Sequence, residues 1–208
     1  VAHAPMIRSR IERSLARLNR SDANSELAKV YHQVTGERRP GTSSSLRVIV
    51  VSSLCGGTGA GLLQTVSDIS RSLDHGGHEI AFLYTAEVFD SLGAASTGGV
   101  SPNSLAAISE FLNGSWRDHH FDGSRPPLER FSLVRAGLPQ ALSRSGPDLP
   151  FLVGRVNTSG VEYDTPDQVF EATGQVLASL VTDLRLQRDL IAYQLSSWAH
   201  QQQAHVMG

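Results

Sequence analysis

The sequence predicts an α/β fold built on a parallel sheet, and three observations carry that expectation. Residues 46–54 (LRVIVVSSL) are a β-branched apolar run of the kind that fills a strand buried on both faces. Residues 55–61 (CGGTGAG) follow without a spacer, and residues 62–73 then place Leu62, Leu63, Val66, Ile69 and Leu73 on one side of a helix. Residues 79–88 (EIAFLYTAEV) read as the next strand. Strand, glycine loop, helix and strand in that order form a parallel crossover unit.

The other elements follow from the same periodicities. Upstream, Ile7, Ile11, Leu15 and Leu18 share one face of a helix over 5–20, with Arg10, Arg13, Arg17 and Arg20 on its other faces. Ser21 or Asp22 is the expected cap of a second helix ending near Gln33. Gly36–Ser45 reads as a polar linker, with Pro40 and Gly41 as breakers. Downstream, residues 89–101 form a glycine-rich loop, and Ser101 with Pro102 is expected to open a helix running to about Leu112. Residues 131–136 and 149–157 are strand candidates, separated by a short helical piece near 138–144. Asn157–Gly160 is a turn, and Asp164–Asp167 starts the last helix with its acids in the first turn. That helical pattern continues from Pro166 to about His200. Three regions result: a helical segment and linker over 1–45, an α/β region over 46–200, and a disordered tail over 201–208.

Composition removes several function classes. The chain has 208 residues, 40 % hydrophobic and 18 % charged, with a formal charge of −2, so no global attraction to nucleic acid or membrane is expected. A single cysteine, Cys55, excludes a disulfide scaffold and a cysteine-rich zinc site. A single lysine, Lys29, stands among 18 basic residues and lies outside the glycine loop, which excludes a Walker A site. No apolar run of ~18 residues and no signal peptide is present, so the default location is cytoplasmic. A first residue that is Val rather than Met suggests a processed product or a piece of a longer chain. Residues 1–47 carry +5 and the remainder −7. The arginine-rich first helix is therefore either a solvated face or a contact for phosphate or an acidic partner.

The glycine loop carries the one specific chemical signal. Gly56, Gly57, Gly59 and Gly61 stand between a buried strand and a helix. Glycine permits φ > 0 and close approach of a ligand to the main chain. Loop amides and a helix N-terminus make a phosphate site that needs no lysine, and Thr58 can add a hydroxyl. A dinucleotide fingerprint fits less well. Gly57, Gly59 and Gly61 give G-x-G-x-G rather than G-x-G-x-x-G, Glu79 begins the next strand, and Glu87 lies too far along.

SLCGGTGAG resembles the tubulin/FtsZ signature G-G-G-T-G-[Ser/Ala]-G at six of seven loop positions, Cys55 replacing the first glycine. The order of elements agrees, and GQVLASLVTDLR (174–185) is similar to the middle of the tubulin central helix. Divergent bacterial tubulin-like proteins are the nearest likeness. The resemblance implies a three-layer, parallel-sheet GTPase-type domain ending in a long central helix. It is a partial domain, lacking the N-terminal strands and first glycine loop. It also implies GTP or GDP as ligand, with Mg²⁺ as accompanying ion, and self-association or contact with another subunit. On this resemblance Gly56, Gly57, Thr58, Gly59, Ala60 and Gly61 cradle the phosphates and Asn103 contacts the base. Two features of the family pattern are missing. Phe170 stands where a second base-contacting Asn is expected, with Asp167 and Gln168 nearby, and residues 188–198 offer Asp189 without an N-x-D motif. Hydrolysis is therefore not implied.

The remaining constellations read as structural. Asp118, His119, His120 and Asp122 form a polar loop, His75 and His78 flank a glycine helix end, and Trp116 and Trp198 are packing residues. Cys55, beside a helix N-terminus, could have a lowered pKa, but no His or Asp partner for it can be located. Ser52 and Ser53 lack the G-x-S-x-G elbow of a serine hydrolase. Two functions remain: a nucleotide-binding module, or a non-catalytic scaffold that binds a partner through its arginine-rich helix.

Overall fold

The structure, a computed structural model, describes residues 3–18, 20–38, 47–73, 79–93, 98–116, 137, 146–183, 185–190 and 192. The helix end at 75–78, the candidate strand at 131–136, the helical piece near 138–144, Asp118–Asp122, Trp198 and the tail lie outside those residues.

Strands β1 (Val48–Ser53), β2 (Glu79–Tyr84) and β3 (Leu149–Val153) form a parallel sheet in the order β1-β2-β3. Val48 pairs with Glu79 and Ser53 with Tyr84; Ile80 pairs with Leu149 and Tyr84 with Val153. All six residues of β2 are buried, as expected for a central parallel strand covered on both faces.

The alternation of side chains along β2 divides the core. Ala81 and Leu83 point to one face, where Leu54, Val50, Leu63, Ala60, Ala107 and Ile108 join them. Helices α3 (Gly57–Ser72) and α4 (Val100–Trp116) supply the last four and cover that face. Ile80 and Phe82 point to the other, against Leu177 and Leu180 of α5 (Pro166–Thr182) and Leu186 and Leu190 of the segment after it. Phe82 stacks on Phe151 at 5.4 Å between ring centroids. The result is three layers, helices on both sides of one sheet, as the sequence predicts.

Helix α1 (Ala4–Leu18) packs on α3 through Ala4, Ile7 and Ile11, which meet Ile69 and Leu73. Its Arg10, Arg13 and Arg17 remain exposed. Helix α2 (Ser21–Thr35) buries no residue. Its cap position falls on Arg20 rather than on Ser21 or Asp22. The Asp22 carboxylate accepts from Arg20 and from the Ala23 amide, which is the N3 amide of this helix, so it serves the first turn from the second helical position and not from the cap.

Four boundaries differ from expectation. β2 stops at Tyr84, and Ala86–Leu92 wind into a 3-10 helix, because Thr85 turns its amide to the Val153 carbonyl and then accepts from Val88. α3 begins at Gly57, inside the glycine segment, and α4 begins at Val100, before Ser101 and Pro102. α5 starts as expected: Thr165 and Gln168 form a reciprocal capping box and Pro166 occupies the first turn. Its helix does not run unbroken to His200. It ends at Thr182, and Asp183 Oδ1 accepts from the amides of Arg185 (2.7 Å) and Leu186 (3.4 Å), capping a new helical stretch over 185–190. Gln187 donates back to the freed Leu180 carbonyl at 2.8 Å.

Candidate functional site

The C-terminal ends of parallel strands are where open α/β sheets leave a crevice for ligands. Here that end is formed by Leu54–Gly61 after β1, Thr85–Glu87 after β2 and Gly154 after β3. The β1 connection is short. Leu54, fully buried, continues the ladder by donating to the Tyr84 carbonyl at 3.0 Å. The Cys55 amide donates to Ser53 Oγ at 3.1 Å, and two residues after Cys55 the helix has begun.

The first intrahelical bond runs from the Ala60 amide to the Gly56 carbonyl at 2.9 Å. The amides of Gly57, Thr58 and Gly59 therefore belong to the first turn, which has no carbonyl four residues back to receive them. Gly56, at the cap position, has no side chain to satisfy them either. Gly56, Gly57, Thr58 and Gly61 are exposed and Gly59 is half-buried, so the start of the helix, with the positive end of its dipole, lies at the surface.

The glycines serve in a different way from the one expected. None of Gly56, Gly57, Gly59 and Gly61 has positive φ; Gly56 lies at φ −90°, ordinary extended backbone. The requirement is space. A Cβ on Gly59 would collide with the Ser53 carbonyl oxygen and approach Ser52 Oγ to 3.0 Å, because α3 leaves β1 at close range. A Cβ on Gly56, Gly57 or Gly61 would meet nothing within 4 Å. One glycine is fixed by packing, and three leave bare main chain at the surface.

Asn103, in the first turn of α4, comes to the same place. Its Nδ2 donates to the Cys55 carbonyl at 2.9 Å, which ties α4 to the glycine segment. Cys55 is 5 % exposed. Burial pushes its thiol above the ordinary range; hydrogen bonds with Ser53 and Ser104 pull it back, and Asp90 adds to the rise. The lowered pKa that a helix N-terminus could give is not observed, because the thiol faces inward, with Sγ 3.8 Å from the Tyr84 carbonyl.

Glu87 was not singled out by sequence reasoning, except as too distant for a dinucleotide fingerprint. In the structure Thr85 Oγ1 donates to its Oε1 at 3.1 Å, and a Cβ on Gly154 would overlap the same carboxylate. The signal available in the sequence was Gly154 directly after an apolar strand, marking a close approach to the main chain. On α5, Phe170 meets Tyr84 edge-on at 4.9 Å between centroids, and Gln168 is engaged in the capping box. Asp189 is exposed on the stretch after α5. Among the described residues no group of His, Cys, Asp and Glu could hold a metal ion, and no helix is long and apolar enough to cross a membrane.

A parallel sheet covered by helices on both faces, with the first turn of a helix exposed at its C-terminal end, defines an α/β protein of three layers. Within that class the relationship is specific: a family model described as tubulin-like matches residues 2–207, and the chain belongs to the tubulin-like family. No curated protein and no solved structure gives a match.

Proposed function

We propose that the chain binds a guanine nucleotide, with the phosphates on the main chain of Gly56–Gly61 and the base toward Asn103. The observation that carries this reading is the exposed first turn of α3, whose Gly57, Thr58 and Gly59 amides have no helical acceptor and whose flanking glycines leave open space. Family membership supports GTP over other anions. The nucleotide would supply charge for the helix start to neutralise, with Mg²⁺ carried by the phosphates themselves. Self-association, with the nucleotide between subunits, and a cytoplasmic location belong to the same reading. The reading makes no claim on hydrolysis: residues 188–198 carry Asp189 without an N-x-D motif. Calorimetric titration of GTP, ATP and NAD with Mg²⁺ tests the assignment. GTP binding at micromolar affinity or better is expected, and no heat from a folded sample would overturn it.

A second reading rests on the exposed Arg10, Arg13 and Arg17 of α1, whose opposite face is spent on α3. In it the chain is a scaffold that holds an acidic partner through α1. Assembly independent of nucleotide and lost in the Arg13→Glu, Arg17→Glu double variant would favour it. Unchanged assembly in that variant would remove it.

A further inference from the structure

We propose that Glu79 is the proton-binding element of a pH-sensitive lock holding the C-terminal half of α3 on the N-terminal end of the sheet. Glu79 opens the central strand, is 1 % exposed, and its carboxylate oxygens make no hydrogen bond of full geometry, the Ser67 and Ser70 hydroxyls lying alongside them. Two elements meet it there. From α3 come Ser67 and Ser70, each at most 1 % exposed, and Arg71. From the residue before β3 comes Asp148, whose Oδ2 accepts Glu79's own amide at 2.8 Å and whose amide donates to the Glu79 carbonyl at 3.0 Å. On the other side the register partner is Val48, which brings no charge.

The charges in this corner do not balance around an ionised Glu79. Arg71 NH2 lies 3.2 Å from Asp148 Oδ1 and donates to the Gly146 carbonyl. Asp68 Oδ1 accepts from the Gly146 amide at 3.0 Å. Among the described residues the Arg71 guanidinium is the one cation beside the Glu79 and Asp148 carboxyl groups, and its described contacts go to Asp148 and Gly146. A carboxylate buried without hydrogen bonds is strongly disfavoured, whereas the neutral acid is tolerated. Burial pushes the Glu79 carboxyl above its ordinary range and Asp148 pushes the same way, while Ser67, Ser70 and Arg71 pull it back.

The sign of the linkage follows. A carboxyl whose folded pKa exceeds its unfolded value binds more protons in the folded state, so its contribution is full below the unfolded pKa and is lost as pH rises through the folded one. Alkalinisation therefore puts a charge between β2 and α3, and the contact between them weakens.

Thermal melts of the full chain from about pH 5.5 to about pH 9, for the wild type and Glu79→Gln, test the lock. His75 and His78 precede Glu79 in sequence and are present in both proteins, so the difference between the two profiles isolates Glu79. The expected result is a wild-type midpoint that falls with rising pH and a flatter Glu79→Gln profile that lies above it at the alkaline end. Parallel profiles would overturn the proposal. Infrared difference spectra of the wild type need no variant. The band of a buried protonated carboxyl, lost on alkalinisation, is expected, and its absence across the range would equally overturn the proposal.

Discussion

The two ends of the sheet are built from opposite materials. At the C-terminal end the polar groups are main-chain amides, the side chains are small or missing, and Gly56, Gly57, Thr58 and Gly61 are exposed. At the N-terminal end the polar groups are side chains largely shielded from solvent: Asp68, Arg71 and Asp148 bond to one another or to main chain, and the Glu79 carboxyl is buried beside Asp148. One end offers first-turn donors that have no acceptor within their own helix. The other uses long-range bonds to fasten α3 and β2 to the start of β3. The contrast separates the end proposed to take a ligand from an end that holds the fold, and α3 joins the two.

The contrast can be broken most severely at its one point of overlap. Gly59 belongs to the open end by sequence but to the packed interior by geometry. Gly59→Val should cost at least about 3 kcal/mol in denaturant unfolding, since the Ser53 carbonyl it strikes is backbone and cannot swing away. At the closed end, Arg71→Ala leaves Asp148 10 % exposed without its ion pair, and a loss of about 2–3 kcal/mol is expected by the same measurement. Asn103→Ala should be milder, about 0.5–1.5 kcal/mol for one lost bond to the Cys55 carbonyl, with weaker GTP binding as a second readout. Gly57→Leu sharpens the comparison. Its new side chain meets open space, so the melting temperature should stay near that of the wild type while GTP binding is lost. The smallest effect concerns Cys55: with its pKa raised by burial, the thiol should react slowly with a thiol reagent at neutral pH, and faster only in denaturant.

The open end was legible in the sequence because glycine is informative by identity. Four glycines between a β-branched run and an amphipathic helix point to a main-chain anion site before any coordinate is known. The reason for each glycine was not legible, since close approach between α3 and β1 is a tertiary distance, and Gly59 and Gly57 look alike in the sequence. The three-layer architecture was legible from the family resemblance and from the apolar run of β2, buried throughout; the similar run of β1 lies at the sheet edge and is only half-buried, with Val51 exposed. The interruption at Asp183 was missed because helical periodicity persists across it. A single Asp acting as a cap for the next stretch does not disturb the spacing of Leu177, Leu180, Leu186 and Leu190. The closed end was invisible for a different reason. Asp68, Arg71, Glu79 and Asp148 lie up to 80 positions apart in the chain, and each reads by itself as an ordinary surface charge. Only the register of β2 against β3 brings Glu79 beside Asp148.

The central claim is that the helix-start amides of α3 receive the phosphates, and amide chemical shifts of the isotopically labelled chain test it most directly. Addition of GTP with Mg²⁺ should move the Gly57, Thr58 and Gly59 amides most and leave the amides of Asp68, Glu79 and Asp148 nearly still. Saturable shifts centred anywhere else, or none at the first turn of α3, would contradict the account.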